Sequence, residues 1–138
     1  RHDPETHLLP LIIKAAEGKN KCVEIYGTDY ETEDGSCVRD FIHVSDLCEA
    51  HLMGLELFFN SNEEILSDYF NLGSSKGFSV KEVIASVKKE LNVDFKVSYK
   101  PRREGDPSVL IASNVKAMKI LNFSPKITKL KDIIKTLI

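Results

Sequence analysis

Apolar positions along this chain change rhythm several times. Leu8, Leu11, Ile12, Ala15 and Ala16 recur every three or four residues, so the spacing predicts a helix that Gly18 stops. Pro10 falls in its first turn, where a missing N–H costs little. Val23 to Tyr26 reads as a short strand closed by Gly27, and the acidic stretch 28–36 as a solvated loop with too little apolar surface to offset ordering. The run 38–44 predicts a strand. A helix over 45–59 follows, capped by Ser45 or Asp46, with Leu47, Ala50, His51, Gly54, Leu55 and Phe58 on its buried face. Asn60, Ser61 and Asn62 end that helix, and Tyr69 to Leu72 predicts another strand, halted at 73–77.

The strongest start signal is Ser79-Val80-Lys81-Glu82, a capping box with Phe78 and Val83 placed as a hydrophobic staple. It opens a helix over 80–91 whose stripe is Val80, Val83, Ile84, Val87 and Leu91. Phe95, Val97 and Tyr99 share one face of a further strand, and Pro101 to Pro107 forms a loop. Two more helices are expected, one capped by Ser113 and one starting near Thr128 with Leu130, Ile133, Ile134 and Leu137. Strands alternating with helices predict an α/β fold.

With 138 residues, the chain is one domain or a piece of one. Apolar residues make up 42% and charged residues 29%, ordinary globular usage that argues against disorder. Nineteen Lys and Arg against 21 Asp and Glu give a net charge of −2, so no bulk positive field recruits nucleic acid or an anionic membrane. No apolar run reaches the roughly 18 residues of a membrane helix. Cys22, Cys37 and Cys48 are odd in number and form no C-x-x-C pair, so they read as buried or half-buried free thiols of a reducing compartment.

The loop Pro101-Arg102-Arg103-Glu104-Gly105-Asp106-Pro107 carries the first chemical content. A guanidinium fork matches two phosphate oxygens and a carboxylate matches a ribose diol, so the loop suits a nucleoside diphosphate, whereas each arginine alone could be a solvated ion pair. Arg39 lies in an otherwise apolar strand, where its charge needs a partner or a ligand. Asp40 and His43 could do acid–base work or could simply tie neighbouring loops. His2, His7 and His51 give no metal-ligand spacing, and the acidic loop lacks the spacing of a calcium loop. No G-x-S-x-G, Walker sequence or G-x-G-x-x-G occurs.

Ile25-Tyr26-Gly27-Thr28-Asp29-Tyr30 and the block from Asp34-Gly35 through Val38-Arg39-Asp40-Phe41-Ile42-His43-Val44 to Leu47 closely resemble UDP-glucose 4-epimerases. So do Asn71-Leu72-Gly73, Gly77-Phe78-Ser79-Val80 and the loop 101–107, in the order and spacing of that group within the extended short-chain dehydrogenases. The glycine fingerprint, the catalytic serine and the Y-x-x-x-K pair of the family do not occur here. Tyr26, Tyr30, Tyr69 and Tyr99 are followed four residues later by Tyr30, Asp34, Gly73 and Arg103. The resemblance therefore implies the carboxy-terminal, substrate-binding part of an extended short-chain dehydrogenase fold, without most of its Rossmann domain. Residues 1–138 would form one UDP-sugar-binding part, and 38–72 would complete the sheet of a dinucleotide-binding half.

In the family, NAD takes a hydride from the sugar C4 and returns it to the other face while UDP stays anchored. Carried over by position, Arg39 and Arg103 would hold the diphosphate and Asp106 would accept from the ribose hydroxyls. Glu24, Ile25 and Tyr26 would form the uracil edge, and His7 and Leu8 would face sugar and phosphate. His7 stands where many members have asparagine, and Leu110 stands where some have a tyrosine near the diphosphate. The resemblance further implies NAD as cofactor of the intact enzyme, a UDP-sugar as partner, a cytoplasmic homodimer, and an inactive 138-residue chain when alone. An N-acetylated or uronic UDP-sugar as substrate, and a non-catalytic nucleotide-sugar binding module, remain open alternatives.

Overall fold

The computed structural model describes residues 4–61 and 68–138, so His2 and Asn62 lie outside the described residues. In chain order the elements are α1 (Leu8–Ala16), β1 (Val23–Tyr26), β2 (Val38–Asp40), α2 (Val44–Asn60), β3 (Gly77–Ser79), α3 (Val80–Leu91), β4 (Val97–Lys100), β5 (Val109–Leu110), α4 (Val115–Leu121) and α5 (Leu130–Lys135). The α/β expectation holds. β1 pairs in parallel with β4, Ile25 opposite Tyr99, while β2 lies between antiparallel β3 and parallel β5.

One core gathers Ile12 and Ala15 of α1, Val23 and Ile25 of β1, Val83, Ile84 and Val87 of α3, and Leu130 and Ile134 of α5. It fixes β1 and α3 relative to each other, and the candidate site lies on that frame. A smaller core joins Ala50 of α2 to Ala117, Leu121 and Phe123.

α3 begins as its sequence requires. Ser79 Oγ accepts from Glu82 N at 3.0 Å and the Glu82 carboxylate accepts from Ser79 N at 2.7 Å. The acidic loop is anchored rather than solvated. Asp34 accepts from the backbone N–H and hydroxyl of Ser36 (2.8 and 2.7 Å) and from the Ser79 hydroxyl, and its carbonyl accepts from Lys81 Nζ at 2.6 Å. Burial pushes the Asp34 carboxyl up, but the hydrogen bonds from Ser79 and Ser36 outweigh it and leave the pKa below its ordinary 3.8. A carboxyl with a lowered folded-state pKa contributes stability above its unfolded pKa and loses it as pH falls through the folded value. Ser79→Ala therefore costs about 2 kcal/mol at pH 7, combining a lost N-cap and a lost carboxylate partner. In melts followed by circular dichroism the gap from wild type narrows below about pH 4; a gap independent of pH would separate Asp34 from the cap.

Several further expectations need correction. The strand at 38–44 stops at Asp40, and 69–72 joins no strand ladder among the described residues, because no neighbouring backbone offers these apolar runs a partner there. α2 buries Asp46 and Ala50 and half-buries Met53 and Leu57, whereas His51, Leu55 and Phe58 of the expected face are exposed. The helix is apolar around most of its circumference, and packing against α4 selects the 46/50/53/57 stripe. Its cap is His43, whose ring nitrogen accepts from Ser45 N at 3.1 Å. Asp46 instead accepts from the backbone N–H groups of Lys126 and Ile127, both at 3.0 Å.

α4 starts after Asn114 rather than Ser113, and the Asn114 side chain ties down the loop at Gly73 and Ser75. α5 starts after Lys129. All three cysteines are free, but Cys48 is exposed on α2.

Candidate nucleotide-sugar site

β1 pairs with β4 on one side only, and its alternation decides which backbone groups face the other side. The N–H groups of Val23 and Gly27 donate to Lys96 and Lys100 of the β4 side, both at 2.9 Å. In a parallel ladder the intervening Glu24 and Tyr26 then point their backbone groups to the opposite edge, which pairs with no strand among the described residues and where the Tyr26 carbonyl accepts from Cys37 Sγ at 4.0 Å. Ile25 is turned the other way. Its side chain is 1% exposed inside the larger core, so it stands apart from the edge it was expected to help form.

Two hollows meet along Leu8, Glu24 and Tyr26. One, of about 140 Å³, brings these three together with Arg39 and Arg103 over an apolar floor of Cys37, Phe41 and Val80. The other, of about 350 Å³, continues from the same wall to Asn20, Lys21 and Cys22. Five of the eight residues singled out by sequence thus line one cleft: Leu8, Glu24, Tyr26, Arg39 and Arg103. Asp106 joins them through its carboxylate. Oδ1 accepts from Arg39 NH2 at 3.3 Å and Oδ2 from Arg103 Nε at 3.2 Å. His7 is exposed beside the cleft and engages Glu5, with its N–H and its ring Nδ1 each 2.8 Å from the carboxylate.

The two arginines are held differently. Arg39 NH1 donates to the carbonyls of Val38 (2.8 Å) and Pro107 (2.9 Å), which pins it between β2 and the 101–107 loop. The Arg103 guanidinium lies over the Tyr26 ring, 4.5 Å from its centroid, so stacking and the Asp106 contact restrain its plane while Nε alone is spent on the carboxylate. Its neighbour Arg102 points away to clamp the acidic loop, with Nε donating to Asp29 at 2.8 Å and the guanidinium 4.3 Å over the Tyr30 ring.

Glu24 is held from two sides. The Tyr26 hydroxyl donates to it at 2.6 Å and Lys100 Nζ lies 3.4 Å away. The Tyr26 contact, aided by Lys100, holds the Glu24 carboxyl below its ordinary value, and the same contact pushes the Tyr26 phenol up. Sequence reading missed Lys100, Cys37, Phe41 and Val80. Lys100 reaches Glu24 only because β4 pairs opposite β1, and neither strand signals that pairing locally.

Chemically the cleft offers two guanidinium groups beside a strand edge with no strand partner among the described residues, which suits a base linked to phosphate. A larger hollow of about 550 Å³ near Ser79 is walled by Glu33, Asp34 and Glu82, which repel an anion. Asp40 and His43 stand outside this chemistry. Asp40 accepts from Ser74 and from Ala112 N, and His43 Nε2 lies 2.9 Å from the Thr136 hydroxyl, so both tie loops and helix ends. Among the described residues no group of His, Cys, Asp or Glu could hold a metal ion.

A dinucleotide needs a glycine turn between a strand and a helix. β2 enters α2 through Phe41-Ile42-His43, and β3 enters α3 directly at Ser79. The positive-φ glycines, 18, 27, 35 and 105, sit in other turns, so the described residues do not fit NAD.

Residues 1–73 match the profile of the NAD dependent epimerase/dehydratase family. The UDP-glucose 4-epimerase of Halalkalibacterium halodurans is 45% identical over 134 residues, covering 97% of this chain and 39% of that protein. The UDP-Glc/GlcNAc 4-epimerase structure from Campylobacter jejuni superposes with a TM-score of 0.83 at 44% identity, covering 99% of this chain and 40% of that one. The UDP-glucose 4-epimerase of Bifidobacterium longum, solved in complex with NAD+ and UDP, superposes with a TM-score of 0.79 at 34% identity over 93% of this chain and 37% of its own. The chain thus spans about two fifths of the length of these relatives.

Proposed function

Because the chain belongs to the NAD dependent epimerase/dehydratase family, we propose that it forms the UDP-sugar-binding part of a 4-epimerase that interconverts UDP-glucose and UDP-galactose. The observation that carries this reading is the cleft itself, where Arg39 and Arg103 share Asp106 beside the Tyr26 ring and the open edge of β1. The guanidinium groups take the diphosphate, and the backbone of Glu24 and Tyr26 takes the base edge. NAD belongs, in this reading, to residues beyond these 138, and what this chain supplies is anchorage. A tight hold on UDP leaves the hexose free to present either face, which inversion at C4 requires.

The same reading pairs the chain with a dinucleotide-binding half whose sheet covers α2 and the 69–72 segment. Leu52, Leu55, Phe58, Phe59 and Tyr69 are each more than half exposed, an apolar face of the kind that marks a docking surface. The 138 residues alone should therefore bind a hydrophobic dye such as anilinonaphthalene sulfonate and self-associate, and should neither bind NAD nor turn over UDP-galactose. A monodisperse, dye-silent monomer at high concentration would contradict the covered face. The cytoplasmic homodimer rests on the resemblance alone.

The deciding assay measures UDP-galactose conversion and UDP binding by the intact protein. Both are expected. UDP binding without turnover would favour the non-catalytic binding module, and absence of both would overturn the proposal. An N-acetylated substrate is the second reading, favoured by the dual UDP-Glc/GlcNAc name of the Campylobacter relative; relative kcat/KM for the two sugars decides it.

A further inference from the structure

We propose that Asp106 is a positioning residue that sets Arg39 and Arg103 in register to span two phosphates, a role that rests on the nucleotide-site reading above. Its two carboxylate oxygens go to two different guanidinium groups, one on β2 and one on the 101–107 loop, 64 residues apart in sequence. Without an anion between them, two like charges this close repel and separate. Both contacts, at 3.3 and 3.2 Å, are longer than the 2.7–2.9 Å usual for such pairs, so the bridge steers each fork without saturating it.

The donors left over have the right pattern. Arg103 commits only Nε to Asp106 and keeps both terminal nitrogens for a ligand. Arg39 spends NH1 on two carbonyls and one NH2 contact on Asp106, and keeps Nε and the second NH2 hydrogen. Tyr26 supplies the second restraint on Arg103 from the ring side. Asp106 thereby sets the spacing between two phosphate-facing forks, which matters for a diphosphate and little for a single phosphate.

Three roles for Asp106 give three directions in one measurement, the ratio of UDP to UMP affinity in the intact protein carrying Asp106→Asn. Asparagine keeps one acceptor oxygen but turns an amide donor toward the other arginine, so the bridge is lost to one side. If Asp106 positions the arginines, UDP affinity falls about tenfold while UMP changes little, and the ratio drops. If it serves only the ribose, both ligands weaken alike and the ratio stays. If its only effect is negative charge near the anion, both ligands bind more tightly, UDP most, and the ratio rises. An unchanged or raised ratio overturns the proposal. Asp106→Glu keeps the charge and both acceptors and should restore part of the ratio, which a merely structural lesion would not allow; it also serves as the test if the asparagine variant fails to fold. A wild-type protein that binds neither nucleotide would instead refute the nucleotide-site reading.

Discussion

In the intact protein, Arg103→Ala is expected to weaken UDP-sugar binding by about 2–4 kcal/mol, because the proposed charge-assisted, two-pronged contact is lost and a phosphate is left underpaired. Under the proposed function the diphosphate keeps its charge and position through the reaction, so the loss should fall on KM and on UDP inhibition while kcat changes little. Arg103→Lys recovers only part of the affinity, since a point charge cannot reproduce a planar fork that also stacks on Tyr26. NAD affinity is expected to hold, since the proposed function places the cofactor outside this cleft. Lys119→Ala is the control. It removes the same charge from an exposed position on α4 that lines neither hollow of the cleft. Calorimetric titration of UDP gives the comparison, and equal small effects of the two alanine variants would reduce Arg103 to a solvated surface charge.

The largest expected loss of stability comes from a residue far from the cleft. Asp46 is 2% exposed and accepts two backbone N–H groups from the segment between α4 and α5. Asp46→Ala leaves both donors without their partner, at about 3 kcal/mol, because each unmade bond of this kind costs about 1–3 kcal/mol. Asp46→Asn keeps one acceptor and costs about half as much. Glu49, one turn on, pairs with Lys126 Nζ at 2.5 Å across the same junction, but both groups reach solvent, so Glu49→Ala costs less than about 1 kcal/mol. Urea unfolding of the three variants orders these effects. Equal midpoints for Asp46→Ala and Glu49→Ala would show that the buried carboxylate does not hold α2 to the carboxy-terminal helices.

What sequence reveals here is what short stretches decide for themselves. α3 is legible because its cap, staple and stripe all lie within 14 residues. β1 and α1 are legible for the same reason. β3 and β5, three and two residues long, exist only through pairing with β2 and carry no local pattern. α2 is recognisable as a helix, yet its apolar circumference cannot say which side packs within these residues, and of the face that its spacing predicts only Leu47, Ala50 and Gly54 are sheltered. Asp46 reads as a helix cap, and its true partners lie 80 and 81 residues downstream.

The site divides in the same way. Composition and spacing identify Arg39 as a charge needing a partner and 101–107 as a phosphate-suited loop, but nothing local joins them. Only the resemblance to 4-epimerases selected Leu8, Glu24, Tyr26, Arg39, Arg103 and Asp106 together, and the fold brings those six to one place. Position alone could not foresee that alternation along β1 turns Ile25 into the core, that His7 engages Glu5, or that Asp106 bridges both arginines.

A crystal structure of the intact protein with UDP would show whether this cleft holds the diphosphate of a UDP-sugar. Phosphate oxygens are expected within about 3 Å of the Arg39 and Arg103 nitrogens, with the uracil along the Glu24–Tyr26 edge. A diphosphate bound anywhere else, with Arg39 and Arg103 still joined only through Asp106, would contradict that placement.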